Sequence, residues 1–247
     1  MATSCNTGAA INIIYGLALG YKSTILPVIL VAFNIVVAIR LGNMLGVALS
    51  AIGMLSTLSI GLAIDAFGPI ADNAGGIAEM SNCHPSVRER TDALDSAGNT
   101  TAAIGKGFAI SSAALVGLSL FGAYIQRLEV SGLLSEEDLM VNSPYIIGMF
   151  FIGAMLPYAF SAMTMKSVGI AAQDMVKEVR RQFANPAIRN GTQEPDFKRC
   201  IAVSTTASLR EMIPPGLLVI LTPLFFGIIF HPLLLCGLLP GTLVSGV

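Results

Sequence analysis

The stretch AIGKGFAISSAALVGLSLFGAYI, residues 103–125, decides the fold class. Apart from Lys106 near its start, it consists of apolar and small residues, and it is as long as the roughly 20 residues that a helix needs to cross a bilayer. Its Gly, Ala and Ser residues let neighbouring helix backbones approach closely in lipid. Strands of membrane barrels alternate polar and apolar residues, and this stretch does not. It therefore predicts a transmembrane helix in a tight bundle.

Similar stretches occur along the whole chain. The composition agrees with a membrane location, because 12% of the residues are charged against about 25% in soluble domains. We predict an all-α, polytopic transmembrane helix bundle, a multi-pass integral membrane protein. Its six predicted spans are 24–39, 44–64, 103–125, 145–165, 213–230 and 232–247.

The distribution of Lys and Arg gives the bundle an orientation. Basic residues accumulate in cytoplasmic loops, so the basic regions at Lys22, 65–102 and 166–212 are expected on the cytoplasmic side. The remaining links then lie outside, and all six spans alternate in direction. Within the last basic region we interpret 170–200 as an amphipathic, solvated linker.

Several classes of function are disfavoured by the composition. The net charge of -1 and the absence of a basic stripe argue against a nucleic-acid partner. The four cysteines form no CxxC pair and only two histidines are present, so neither a zinc site nor a disulfide framework is expected.

The segment between 65 and 106 is rich in carboxylates although two strong spans enclose it. Asp65 and Asp72 are seven residues apart, which places them on one face of a continuous helix that Pro69 bends without ending. An ionisable residue at the edge of a span often marks a site or pathway. The alternative is a helix terminus with solvated carboxylates.

A second polar set follows on the next predicted helix. Asp92, Asp95, Asn99 and Lys106 fall at i, i+3, i+7 and i+14, which is one helical stripe. Carboxylate and amide oxygens suit magnesium, and a lysine ammonium suits phosphate. The alternative is an exposed amphipathic helix.

At these residues the sequence resembles the membrane-integral pyrophosphatases, which are pyrophosphate-energised proton or sodium pumps. The stretches that carry the resemblance are spread over the chain. They are NIIYGLALGYKS (12–23), GLAIDAFGPIADNAGGIAEM (61–80), RERTDALDSAGNTTAAIGKGFAI (88–110), GAMLPYAFSAMTMKSVG (153–169), EVRRQF (178–183), EMIPPG (211–216) and LVSGV (243–247).

The resemblance implies roles for individual residues. Asp72 and Asn99 match magnesium-coordinating positions, and Lys106 matches a lysine that contacts pyrophosphate oxygens, so Asp72 and Lys106 are the expected catalytic residues. Ala102 matches a position that is Ala in potassium-stimulated members and Lys in potassium-independent ones. Asp65 matches an acid of less defined role, and Asp92 and Asp95 stay further candidates.

For the whole protein, the resemblance implies a homodimer with about sixteen helices per subunit, in contact with membrane lipid. It implies Mg²⁺ as cofactor, K⁺ as activator and pyrophosphate as substrate. We expect a proton pump, in a vacuolar or acidocalcisome-type membrane if the source is eukaryotic. We also expect residues 1–247 to be a C-terminal portion of the family fold that is inactive alone. The alternatives are a sodium pump, a secondary transporter and a non-catalytic membrane scaffold.

Overall fold

A computed structural model describes residues 2–133 and 143–247, and the regular structure in both ranges is helical, without strands. Contacts divide the chain into two compact units, 1–124 with Val247 and 125–246, which are described separately below. The helices are α1 (Ala9–Leu55), α2 (Leu58–Met80), α3 (Pro85–Val130), α4 (Pro144–Phe183), α5 (Pro186–Arg189), α6 (Phe197–Glu211), α7 (Ile213–Leu224) and α8 (Leu235–Gly246). Short turns of other helix types lie at Ala2–Thr7, Phe225–Phe230 and Pro232–Leu234.

Four helical runs in the described ranges are long and apolar enough to cross a membrane. They are α1, α3, α4 and the run Phe197–Phe230, and the apolar run Pro232–Gly246 is shorter. The predicted all-α, multi-span fold class is confirmed.

Helix α1 is broken at Gly42 and Asn43, whose backbone angles are not helical. Asn43 has a φ of 50° and a ψ of −144°, which lies outside both helical regions. Gly46 packs directly against the carbonyl group of Ala38. In an unbroken helix these residues would be about 12 Å apart along the axis. The chain therefore reverses here, between the predicted spans 24–39 and 44–64, and residues 44–55 return along 9–41.

The core of the first unit lies where this hairpin meets α3. Val47 and Leu115 are almost completely buried, and they pack with Ala38 and Ala51. The side chains around these four are apolar as well, so the contact contains no buried charge that would need a partner. They are the partly buried Val31, Ile35, Met54, Val116 and Leu118.

The predicted span 44–64 is not one continuous helix, which its apolar sequence does not indicate. Residues 44–55 end α1 and α2 begins at Leu58, with Ser56 and Thr57 between them in near-helical conformations. Ile60 and Gly61 both donate backbone hydrogen bonds to the Thr57 carbonyl, so the helix restarts at once. As predicted, Pro69 does not end α2.

Helices α2 and α3 form an antiparallel hairpin that turns at residues 81–84. The buried residues of α2 form one stripe of small side chains, Gly68, Ala71, Gly75 and Ala78. A Cβ added to Gly98 of α3 would lie 3.3 Å from the Cα of Gly68, so the two backbones are close. One register fits every close approach along α3, namely Gly122 with Met44, Gly98 with Gly68, and Gly75 with Thr91.

In the second unit, α8 packs in parallel along the first half of α4 through backbone contact. A Cβ added at Gly153 of α4 would overlap the carbonyl of Leu238, and one at Gly241 would overlap the carbonyl of Phe150. Thr242 Oγ1 donates to the Gly153 carbonyl at 3.1 Å, and Ser245 Oγ donates to the Ala154 carbonyl at 2.6 Å. Such close packing requires glycine, as expected for helices associating in lipid.

The second half of α4 carries α6, which runs antiparallel to it. Gln182 bonds to Asp196 at one end, and Ser167 Oγ donates to the Glu211 carbonyl at the other. Beyond Met212 a new helix, α7, begins, and Pro214 and Pro215 suit its first turn because its first backbone N–H groups have no partner within the helix.

Substituting Gly153 with Ala is predicted to separate α8 from α4. The added methyl group would displace the Leu238 carbonyl, at a cost of about 1–3 kcal/mol, the usual range for overpacking. The measurement is the rate at which a maleimide reacts with Cys236, which is buried on α8, after the other three cysteines are replaced by Ser.

The matched control is Gly148→Ala on the same helix, since a Cβ there would meet nothing within 4 Å. Equal labelling rates in the two variants would contradict the packing described for α4 and α8.

Candidate functional site

Five polar residues of the α2–α3 hairpin share one position in the sequence pattern, because each comes directly after a small residue. On α2, Asp72 follows Ala71 and Glu79 follows Ala78, whereas on α3, Asn99 follows Gly98. Asp92 and Lys106 follow Thr91 and Gly105 in the same way, which gives a seven-residue repeat on each helix.

This repeat places both rows on the same side of the hairpin. One step along a right-handed helix rotates a side chain by about 100° away from the contact. Because α2 and α3 run in opposite directions, the same step on each helix leads to the same side. The ion pair between Glu79 and Arg88 at 3.0 Å joins the two rows there. We call this surface the polar flank, defined by Asp65, Asp72, Glu79, Arg88, Asp92, Asn99 and Lys106.

The register of the hairpin also sets the order of these groups along it. Asp72 lies level with Leu94, between Asp92 and Asp95. Asn99 follows about 7 Å further along the axis, and Lys106 about 10 Å beyond Asn99. Lys106 is thus the member nearest the apolar part of α3.

The members of the polar flank differ in what already binds them. Asp92 forms an ion pair with Arg88 at 2.8 Å, so the charge of Asp92 is compensated within α3. Asn99 donates from Nδ2 to Oδ2 of Asp95 at 3.0 Å. Asp72 and Lys106 are exposed, and no ion pair involves either within residues 2–133 and 143–247. These two side chains are therefore available to a ligand.

The two remaining candidates lie deeper along the hairpin. Asp65 lines a cavity of about 340 Å³ together with Thr101, Gly105 and otherwise mostly apolar residues. Ala102 is half-buried and lies on the side of α3 that faces α2. A longer side chain at 102 would enter the region beside Asp65.

The donor set fits magnesium in type but not in number. Carboxylate and amide oxygens are the ligands that Mg²⁺ prefers, and Mg²⁺ usually keeps several waters and shares phosphate oxygens. One oxygen of Asp95, Oδ1, is buried without a hydrogen-bond partner in the described part of the chain. No group of three or more His, Cys, Asp or Glu residues suited to a metal occurs among the described residues. The hairpin can thus contribute ligands to a metal complex but does not enclose one.

The whole chain, residues 1–247, matches the sequence profile of the family described as inorganic H⁺ pyrophosphatase. The chain belongs to this family. It is 50% identical, over 97% of its length, to a protein of Clostridium tetani provisionally named a K⁺-stimulated pyrophosphate-energized sodium pump. It is 44% identical over its full length to a K⁺-insensitive pyrophosphate-energized proton pump of Methanosarcina mazei.

A third relative is pyrophosphate-energized membrane proton pump 3 of Arabidopsis thaliana, 44% identical over 94% of the chain. The chain spans 36%, 37% and 31% of the lengths of these three relatives. Membership of this pyrophosphatase family confirms the resemblance seen in the sequence. The relatives' names include both proton and sodium pumps, so the family leaves the transported ion open.

The chain also contains a second polar cluster, which the sequence pattern alone did not reveal. Residues 170–200 were interpreted as a solvated linker, and for Glu178 and Gln182 that interpretation is wrong, because both are buried. Glu178 accepts hydrogen bonds from Arg181 at 2.6 and 2.9 Å, from Gln182 at 2.9 Å and from Arg199 of α6 at 3.3 Å. The i, i+3 and i+4 spacing in EVRRQ was a usable signal, but the partner on α6 was not.

Gln182 completes the cluster by bonding both backbone groups of Asp196. Its Oε1 accepts from the Asp196 N–H at 2.8 Å, and its Nε2 donates to the Asp196 carbonyl at 3.1 Å. Asp196 in turn caps α6 by accepting from the backbone N–H of Arg199. The cluster therefore fixes where the connection after α4 ends and α6 begins.

Hydrogen bonds from Arg181 and then Gln182 lower the pKa of Glu178 from 4.5 to about 2. This group lies outside the apolar part of α4, since a helix of 40 residues is about 60 Å long, twice the thickness of the hydrocarbon core. A carboxyl group whose pKa is lower in the folded state stabilises it above the unfolded pKa, and the stabilisation disappears as the pH falls through the folded pKa.

We therefore expect the contact between α4 and α6 to be insensitive to pH above about 5 and to weaken progressively between pH 4.5 and 2. The measurement is the hydrogen-exchange protection factor of the Asp196 amide. Glu178→Gln should lower this protection at neutral pH, because Arg181 and Arg199 lose their anion, and should remove the acid transition.

Asp174→Asn serves as the control, since Asp174 forms an exposed ion pair with Lys177 on the same helix. Its protection profile should match that of the wild type. An unchanged acid transition in Glu178→Gln would contradict the assignment to Glu178.

Proposed function

We propose that this chain supplies one wall of the magnesium–pyrophosphate site in a homodimeric, pyrophosphate-energised cation pump of the membrane. The observation that carries the proposal is the polar flank. There, polar side chains that recur every seven residues on α2 and on α3 lie on the same side of one hairpin. Both helices continue from this flank into apolar segments, so the proposed site is connected to the membrane-crossing part by rigid helix.

The proposed roles follow from chemistry and position. Asp72 and Asn99 would bind magnesium through their side-chain oxygens. The metal, when bound, neutralises phosphate charge and favours departure of the leaving phosphate. Lys106 would contribute a fixed positive charge where negative charge builds on pyrophosphate. Asp65, two helical turns deeper than Asp72, lies between this site and the apolar part of α2.

We propose that hydrolysis needs segments that the relatives possess beyond the aligned portion. The described residues offer no three-ligand metal group. The remaining oxygens of a magnesium complex would have to come from those segments, from pyrophosphate and from water.

The expected outcome is that residues 1–247 alone hydrolyse no pyrophosphate, whereas the full-length protein does so with Mg²⁺. In the full-length protein Lys106→Ala should lower kcat by about 10²–10³-fold, the usual loss when a charge-stabilising donor is removed. Asp72→Ala should raise the Mg²⁺ concentration needed for half-maximal activity.

The control for both variants is Arg90→Ala, which removes an exposed charge from the side of α3 away from the flank. Magnesium-dependent turnover by the isolated 247 residues, or full activity of Lys106→Ala, would contradict the proposal.

We further propose that the pump is potassium-stimulated and that it moves protons. Ala102 supports potassium stimulation, because the matching position is Ala in potassium-stimulated members. The second candidate for the transported ion is sodium, and the observation that favours it is the 50% identity to a relative provisionally named a sodium pump.

Membrane vesicles containing the full-length protein distinguish these cases. With Mg²⁺ and pyrophosphate we expect acidification that rises when K⁺ is added. In Ala102→Lys the added ammonium takes the place of the ion, so K⁺ should no longer change the rate. Sodium uptake without acidification would select the second candidate, and a K⁺ response retained in Ala102→Lys would refute the role of position 102.

A further inference from the structure

The hydrogen bond between Asp95 and Asn99 decides which end of the Asn99 amide is free. Asp95 Oδ2 accepts from Asn99 Nδ2 at 3.0 Å. A side-chain amide has one donor end and one acceptor end. With the nitrogen engaged, the free end is the carbonyl oxygen Oδ1, and no hydrogen bond reaches that atom within the described residues. Only the carbonyl end can bind a metal cation.

The surroundings of Asp95 do not stabilise a charged carboxylate. Asp95 is half-buried, and the register places it opposite Ala71 in the stripe of small residues. Its second oxygen, Oδ1, is buried and unpartnered within the described part of the chain. A buried acceptor without a partner costs free energy. The contribution of Asp95 to stability therefore does not explain a carboxylate at this position.

Asp92, the other carboxylate on this part of α3, cannot orient the Asn99 amide in this way. Asp92 lies two helical turns before Asn99 and is engaged by Arg88 at 2.8 Å. Asp95 is one turn before Asn99, which is the spacing at which side chains on a helix meet.

We propose that Asp95 is a positioning residue for the magnesium–pyrophosphate complex. Asp95 turns the Asn99 carbonyl oxygen toward the metal and does not contact the metal itself. This inference rests on the proposed function. The negative charge behind the amide also makes its oxygen a better ligand, as carboxylates do when they accept a hydrogen bond from a metal-binding group.

The test is made in the full-length protein with magnesium imidodiphosphate, a pyrophosphate analogue with a nitrogen bridge. It measures the Mg²⁺ concentration that gives half-maximal protection against heat unfolding, a readout that requires no turnover. Asp95→Ala should raise this concentration about 10–100-fold, the usual effect of removing a group behind a metal ligand. Without ligand, its unfolding temperature should not fall below that of the wild type.

An exchange variant decides the result even if Asp95→Ala fails to fold. In the double variant Asp95→Asn with Asn99→Asp, the amide at 95 can donate to the carboxylate at 99, which keeps one oxygen of residue 99 free. We expect this variant to bind Mg²⁺ far better than Asn99→Ala, and binding as weak as that of Asn99→Ala would overturn the proposal.

A double-mutant cycle separates positioning from packing. If Asp95 acts through Asn99, then Asp95→Ala should cause no further loss in an Asn99→Ala background. Additive losses would overturn the proposal. A wild-type protein that binds no magnesium imidodiphosphate would instead refute the proposed function, whereas normal binding by both wild type and Asp95→Ala would refute only the positioning role.

Discussion

The backbone contact between α2 and α3 is the constraint on which the candidate site depends. Gly68 and Gly98 bring the two backbones close together, with the Phe67 ring also against Gly98, and Gly75 faces Thr91 in the same register. In lipid, helices gain no hydrophobic driving force from meeting each other, so close van der Waals packing of small residues has to supply the attraction. Because Asp72 and Glu79 each follow a buried small residue of α2, and Asn99 follows Gly98 of α3, this packing also fixes the direction of these polar side chains.

The second unit uses the same physical device for a different purpose. Gly153, Gly237 and Gly241 allow α8 to lie directly on the backbone of α4, and the Thr242 and Ser245 hydroxyls bond to carbonyls that the approach exposes. Toward the other end of α4 the contact is ionic, with Glu178 compensated by two arginines. Close packing thus holds α8 against the apolar half of α4, and compensated charges hold α6 against the polar half.

The helices and the faces that their polar residues share could be predicted from the sequence, because both depend on residues close together in the chain. Apolar length predicted the helices, and the spacing of Asp65, Asp72, Asn99 and Lys106 predicted that each set shares a face of its own helix. The relation between the two sets was not accessible, since it depends on the register of α2 against α3. The burial of Glu178 was missed for a similar reason, because its charge indicated a solvated segment while Arg199, which compensates it, lies on another helix. The transported ion stays a prediction.

The most direct test of the account labels single cysteines placed along 61–80 of the full-length protein, with and without magnesium imidodiphosphate. If the polar flank forms the pyrophosphate site, the ligand should slow maleimide labelling at positions 65 and 72. It should leave labelling unchanged at Ile70 and Ile77, which are exposed on the other side of α2. Equal protection at all four positions, or protection at Ile70 and Ile77 alone, would contradict the placement of the site on this flank.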